Sequence, residues 1–201
     1  MNKLTGIVLC GGKSCRFGED KGLCTLGGQL MIEYPLKTLT KLCDEIIISS
    51  NDERYSDLGY PVISDEIKNI GPLGGIYTAL KHARNKDTMI VSCDMPFVTV
   101  ELLRYIYDNS KNTMIASAFV KGYVEPLCSY FNTGTINYIE DMIAKGDYKL
   151  AHLLDKVDFK KININNNLEF YKDYLFLNVN THTEYDRAQN ILKRKNGNML
   201  M

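Results

Sequence analysis

Three glycines, an arginine and two lysines crowd the segment Gly11-Gly12-Lys13-Ser14-Cys15-Arg16-Phe17-Gly18-Glu19-Asp20-Lys21, directly after the apolar run Ile7-Val8-Leu9-Cys10. Glycines let backbone N–H groups approach phosphate oxygens closely, and cationic side chains neutralise charge that grows on those oxygens as a bond breaks. The segment reads as a cradle for a nucleoside triphosphate. The competing reading is a glycine-rich strand-to-helix connection with Arg16 and Lys21 solvated. Two familiar phosphate loops do not fit. A P-loop needs four residues between its glycines and then Gly-Lys-Ser/Thr, whereas five separate Gly12 from Gly18 and Glu19 follows. Neither Gly11 nor Gly12 starts Gly-x-Gly-x-x-Gly, so hydride transfer from a dinucleotide has little support.

Asp94, in Cys93-Asp94-Met95-Pro96-Phe97, is the best candidate for a magnesium ligand, because that ion prefers carboxylate oxygens and completes its shell with water and substrate phosphates. A turn or helix-capping aspartate fits the same position equally well. Asn51 and Asp65 carry weaker signals, since asparagine after a strand is usually a turn residue and an aspartate beside Glu66 is readily solvated. Their functional reading depends on sharing a site with the glycine loop. A carboxylate distinguishes nucleobases by accepting from adjacent N–H groups, which guanine offers on one edge; Asp65 or another carboxylate nearby fits that part.

The elements that must position these residues alternate between strand-length apolar runs and helical periods, the pattern of an α/β sandwich with a mostly parallel central sheet. Strands are expected at Leu4–Leu9, Glu45–Ser49, Pro61–Ser64, Thr88–Ser92, Met114–Phe119, Pro126–Tyr130 and Phe176–Val179. Helices are expected near Ile32–Leu42, from Pro72 to about Ala83, from a Thr99 cap through Tyr107, over Thr133–Ala144, and after a Thr181-x-x-Glu184 capping box. Asn163–Asn167 reads as a loop tip. In open α/β sheets ligands bind beyond the carboxyl ends of the strands, and that rule gathers Gly11, Asn51, Asp65 and Asp94 at one edge.

A chain of 201 residues builds one domain, taken here as residues 1–195 with a frayed tail over 196–201. Lys and Arg total 24, as do Asp and Glu, so no global field draws the protein to nucleic acid or an anionic membrane. The apolar runs are too short to span a bilayer, and a cytoplasmic location is expected. Six cysteines, at positions 10, 15, 24, 43, 93 and 128, show no Cys-x-x-Cys pair, and His82, His152 and His182 stand isolated. Neither a zinc site nor a Ser/His/Asp or Cys/His arrangement is indicated.

The motif Leu9-Cys10-Gly11-Gly12-x-Ser14-x-Arg16-Phe17-Gly18-x-Asp20-Lys21 resembles the opening of the molybdenum cofactor guanylyltransferases, nucleotidyltransferases with a Rossmann-like three-layer fold. Further matches follow in order: Asp65 ahead of Gly71-Pro72-Leu73-Gly74-Gly75-Ile76, Cys93-Asp94-Met95-Pro96-Phe97, Glu125-Pro126-Leu127, and Asn178-Val179-Asn180-Thr181. Together they cover nearly the whole chain.

The resemblance implies transfer of GMP from Mg-GTP to the terminal phosphate of molybdopterin, with release of pyrophosphate. It implies that Leu9, Cys10, Gly11, Lys21, Asn51, Asp65 and Asp94 bind GTP, and that Asp94 also holds magnesium. Arg16, Lys21 and Asp94 would be catalytic, and Asn178, Asn180 and Lys149 would face the pterin. Lys149 stands where relatives often carry arginine, keeping the charge but losing bidentate geometry. Cys10 and Phe17 replace common Ala and Met with other apolar residues. Transient contacts with proteins that make or receive the cofactor also follow. Rival readings are a molybdopterin cytidylyltransferase, disfavoured by Gly12, a sugar-phosphate or other small-alcohol nucleotidyltransferase, and a non-catalytic module that delivers the cofactor.

Overall fold

All six residues of β1 (Leu4–Leu9) are buried, as expected of a central strand covered on both faces. The computed structural model describes residues 3–11 and 20–197, so Gly12, Arg16, Phe17 and Gly18 of the glycine loop lie outside the described residues. Beyond that loop comes a small hairpin, β2 (Thr25–Leu26) and β3 (Gln29–Leu30), followed by α1 (Glu33–Leu39). The order continues with β4 (Glu45–Ser49), β5 (Val62–Ile63), α2 (Pro72–His82), β6 (Asp87–Ser92), α3 (Val100–Asp108), β7 (Ile115–Val120) and β8 (Tyr123–Asn132). The chain ends with α4 (Ile136–Ala144), α5 (Leu150–Leu154), β9 (Phe159–Asn163) and α6 (His182–Gly197).

Seven strands form one sheet in the order β5-β4-β1-β6-β8-β7-β9, in which only β8 runs antiparallel to its neighbours. Alternation along the strands assigns the two faces. Leu4, Val8, Ile46 and Ile48 pack towards Leu36 and Leu39 of α1 and Leu102, Leu103 and Ile106 of α3. Ile7, Leu9 and Ile47 pack towards Leu73, Ile76 and Leu80 of α2, with Ile139 and Met142 of α4 and Leu153 of α5. The expected α/β three-layer sandwich is therefore observed. A third apolar cluster joins the β2–β3 hairpin, through Leu26, to Leu177, Val179 and Ala188 of α6.

Strands β1 and β4 occupy the residues expected from their apolar runs, and Thr99 caps α3 by accepting from the Leu102 N–H at 3.3 Å. The segment Phe176–Val179 is not a strand. Its alternation imitates one, but Leu175 N and Leu177 N are committed to turn carbonyls of Lys172 and Tyr174, each at 3.0 Å. Val179 N instead reaches the Asp94 carbonyl at 2.9 Å. Helix α1 stops at Leu39, before the expected Leu42. Asn163, expected in a loop, is the last residue of β9, a strand whose Lys160 and Lys161 hid its pattern. The hairpin escaped because its strands are two residues each; its Gly27-Gly28 turn has φ of 59° and 89°, the pair of positive values a tight hairpin needs.

One irregularity matters for the site. Ser117 of β7 faces Ser129 of β8, but Ala118 faces Glu125, so Pro126, Leu127 and Cys128 have no partner on β7. Such a bulge bends a strand and re-aims the side chains beside it. Pro126 suits it, having no N–H to leave unpaired.

Candidate active site

Two hydrogen bonds staple the carboxyl ends of the three central strands. Cys10 N donates to the Ser49 carbonyl at 2.8 Å, and Cys93 N donates to the Leu9 carbonyl at 3.0 Å. Asn51 and Asp94 are carried past these ends by the next one or two residues, so the edge predicted from strand order exists. Gly11 is exposed there, and a side chain at its position would meet nothing within 4 Å among the described residues.

Asp94 is 9% exposed. The Ser92 hydroxyl donates to its Oδ1 at 2.6 Å, and the Lys21 ammonium donates to its Oδ2 at 3.4 Å. The same ammonium donates to Asn180 Oδ1, joining residues 159 positions apart. Lys21 begins a short 3₁₀ turn, Lys21–Leu23, capped by Asp20, whose Oδ1 accepts from Gly22 N at 3.0 Å. The bond from Val179 N to the Asp94 carbonyl draws the Asn178–Asn180 segment onto this edge. Asn180 then leads into α6, where Thr181 Oγ1 accepts from Glu184 N at 3.2 Å and Glu184 Oε2 accepts from Asn180 N at 2.8 Å. The expected capping box is thus present in a shifted form, its carboxylate reaching one residue further back.

On the β4 and β5 side, Asn51 and Asp65 bind each other reciprocally. Asn51 Nδ2 donates to Asp65 Oδ2 at 3.1 Å, and Asp65 N donates to Asn51 Oδ1 at 3.0 Å. Helix α2 comes close enough that a Cβ on Gly75 would lie 2.7 Å from Ser49 Oγ, 3.0 Å from Leu9 Cδ2 and 3.4 Å from Asp65 Oδ1. Glycine is needed here for close approach. Pro72 opens this helix, where its missing N–H costs nothing.

On the other side of Asp94 a cavity of about 440 Å³ is bounded by Tyr123, Glu125, Phe176, Asn178, Asn180 and Arg187, among others. Glu125, delivered by the bulge, is half-buried. Burial raises its carboxyl above the ordinary glutamate value and the charge of Asp94 pushes it further up, while a hydrogen bond with the Asn178 side chain opposes both. Glu125 belonged to a recognised motif but was given no role from sequence. The signal was Pro126 inside a strand-like run, which marks a bulge. Lys149 is exposed at the start of α5, with its N–H on Asp147 Oδ1 at 3.3 Å, and does not line this cavity.

Among the described residues no group of three or more His, Cys, Asp or Glu side chains is placed to hold a metal ion. The two hard oxygens that converge are Asp94 Oδ2 and Asn180 Oδ1, both turned to the Lys21 cation. That donor set fits magnesium shared with substrate phosphates rather than enclosed by protein ligands. No described helix is long and apolar enough to cross a membrane.

Among the described residues Asp94 is the one buried carboxylate, and it stands with Lys21 at the edge of the mostly parallel sheet. Residues 6–161 match the MobA-like NTP transferase domain, and the chain belongs to that family. A "Probable molybdenum cofactor guanylyltransferase" from Carboxydothermus hydrogenoformans is 31% identical over 196 residues, spanning 97% of this chain and 100% of its own. Another with that name, from Aquifex aeolicus, is 34% identical over 91% of this chain and 89% of its own. The crystal structure of molybdopterin-guanine dinucleotide biosynthesis protein A from Archaeoglobus fulgidus superposes with a TM-score of 0.82 at 25% identity, over 94% of this chain and 99% of that one. The fold alone extends to 4-diphosphocytidyl-2C-methyl-D-erythritol synthase from Anaerococcus prevotii, at TM-score 0.73 and 14% identity, covering 96% and 99% of the two chains.

Proposed function

We propose that this chain transfers GMP from GTP to the terminal phosphate of molybdopterin, forming the guanine dinucleotide of the cofactor and pyrophosphate. The observation that carries this reading is the convergence of Lys21, Asp94 and Asn180 at one sheet edge, flanked by the Asn51–Asp65 pair on one side and the Glu125–Asn178 cavity on the other. Relatives named as guanylyltransferases over almost the whole chain support the same substrates.

In this reading a phosphate oxygen of the acceptor attacks the α-phosphorus of GTP. A new P–O bond forms, the bond from that phosphorus to the bridging oxygen breaks, and the bridging oxygen leaves on pyrophosphate with the electron pair. No protein nucleophile is needed, and the task is to bring two anions together in line. Lys21 moves its charge from Asp94 onto the leaving phosphates, assisted by Arg16. Leu9, Cys10 and Gly11 border the nucleotide. Asn51 occupies one oxygen of Asp65 and thereby fixes the carboxylate that accepts from the guanine edge. Asn178 and Asn180 serve the pterin side, whereas Lys149, expected there from sequence, stands outside that cavity. Asp94 and Asn180 would hold magnesium, which when bound neutralises charge on the triphosphate.

The working unit is one domain over residues 1–195, although α6 runs on to Gly197. The enzyme works in the cytoplasm, which suits the five free thiols among the described residues, and hands its product to partner proteins through transient contacts. Pyrophosphate release on mixing the protein with magnesium, molybdopterin and GTP, CTP or ATP tests the reading. Release with GTP at least about tenfold above CTP is expected; a preference for CTP, or no release with any, refutes it.

A further inference from the structure

Lys21 is held by a second, buried layer. Tyr55 has no exposed surface, although it carries a hydroxyl. It sits in the 3₁₀ turn Glu53–Leu58 that follows β4, a turn started by Asp52, whose Oδ1 accepts from Arg54 N at 3.0 Å. The Tyr55 hydroxyl donates to Asp20 Oδ1, the same oxygen that caps Gly22 N. Glycine at position 22 leaves the space that hydroxyl fills, since a Cβ there would run into it. Gly22 O then accepts from Ile32 N at 3.1 Å, and Leu23 N returns to Asp20 O at 3.1 Å, fixing both ends of the turn. Burial and neighbouring Cys10 and Cys93 drive the phenol far above its ordinary pKa, so it remains a donor across the physiological range.

A buried tyrosine that only filled space would pack as well without its hydroxyl. Here the hydroxyl meets the one carboxylate that immediately precedes Lys21. We infer that Tyr55 is a positioning residue for catalysis: through Asp20 it sets the turn from which Lys21 reaches Asp94 and Asn180. This inference rests on the role given to Lys21 above. Because Tyr55 also lies four positions beyond Asn51, one segment serves both the base-side pair and the phosphate-side cation.

Tyr55→Phe removes the hydroxyl and keeps the ring. We expect its kcat/KM for guanylyl transfer to fall about tenfold, the cost of one hydrogen bond to a charged group, with the circular dichroism spectrum unchanged. The decisive readout is coupling to Lys21. In a Lys21→Ala background, Tyr55→Phe should have no further effect, because the group it positions is gone. Asp20→Ala, on the partly exposed side of the same bond, should lower the rate and be equally silent in that background, which keeps the test open if Tyr55→Phe folds poorly. Normal turnover by a folded Tyr55→Phe, or by Asp20→Ala, overturns the inference, and so do losses that multiply with Lys21→Ala. Full activity of Lys21→Ala alone instead removes the role assigned to Lys21, and the inference with it.

Discussion

Replacing Asp94 by asparagine separates the chemistry of the edge from its architecture. The side chain is small, 13% exposed, and held on one oxygen by Ser92 Oγ at 2.6 Å, a bond that the Asn carbonyl accepts equally. What is lost is the charge facing Lys21 at 3.4 Å and the carboxylate oxygen available to a divalent cation. Lys21 keeps Asn180 as an acceptor, and its side chain is 21% exposed, so water assists. Loss of the ion pair should therefore move the thermal midpoint by only a few degrees, at roughly 2–4 °C per kcal/mol for a chain of this size. Catalysis stands to lose far more, because a preorganised electrostatic partner at the reacting phosphates contributes on the order of 10² to 10³ in kcat, about 3–4 kcal/mol. Pyrophosphate release with GTP, magnesium and molybdopterin measures the second quantity, and a circular dichroism melt measures the first. Asp94→Asn should also lower the Glu125 pKa, since Asp94 is one of the causes that raise it. A folded Asp94→Asn protein with transfer within about fivefold of the parent would refute the assignment of Asp94 and the electrostatic reasoning with it.

Glu125→Gln should raise the thermal midpoint at neutral pH. A carboxyl raised by burial contributes stability below its ordinary value of 4.5 and loses it as pH climbs through the folded value, so the gain from glutamine should be largest near neutrality and vanish in acid; melts across that range decide it. The same variant should raise KM for the acceptor more than KM for GTP, as steady-state kinetics would show, because Glu125 borders the cavity with Asn178. Gly75→Ala should destabilise the fold by about 2 kcal/mol, read in urea, since its Cβ would stand 2.7 Å from Ser49 Oγ.

What could be read from sequence followed local rules. β1 and β4 announced themselves through the apolar runs Ile7–Leu9 and Ile46–Ile48, the Thr99 cap and the Thr181–Glu184 pair as helix starts, and Asp94 as a carboxylate just beyond a strand. The edge itself followed from topology, which is why Asn51 and Asp65 were found together. The rest depends on contacts between distant parts of the chain. Nothing in the neighbourhood of Tyr55 hints at Asp20, 35 positions earlier, and the meeting of Lys21 with Asn180 spans almost the whole molecule. Phe176–Val179 misled because burial of Leu177 and Val179 against α6 produces the same alternation as a strand while its backbone serves turns and the Asp94 loop.

Helix α6 carries Asn180 at its head and, along its length, supports the hairpin that follows Lys21: Tyr185 Oη donates to the Thr25 carbonyl at 2.7 Å, and Ala188 is buried beside Leu26. The two sides of the cleft, one carrying Lys21 and the other Asn180, thus rest on a common axle. Whatever loosens that axle, whether a protease cut, a competing ligand on its outer face or a destabilising substitution, should slacken donor and acceptor grips together rather than one at a time.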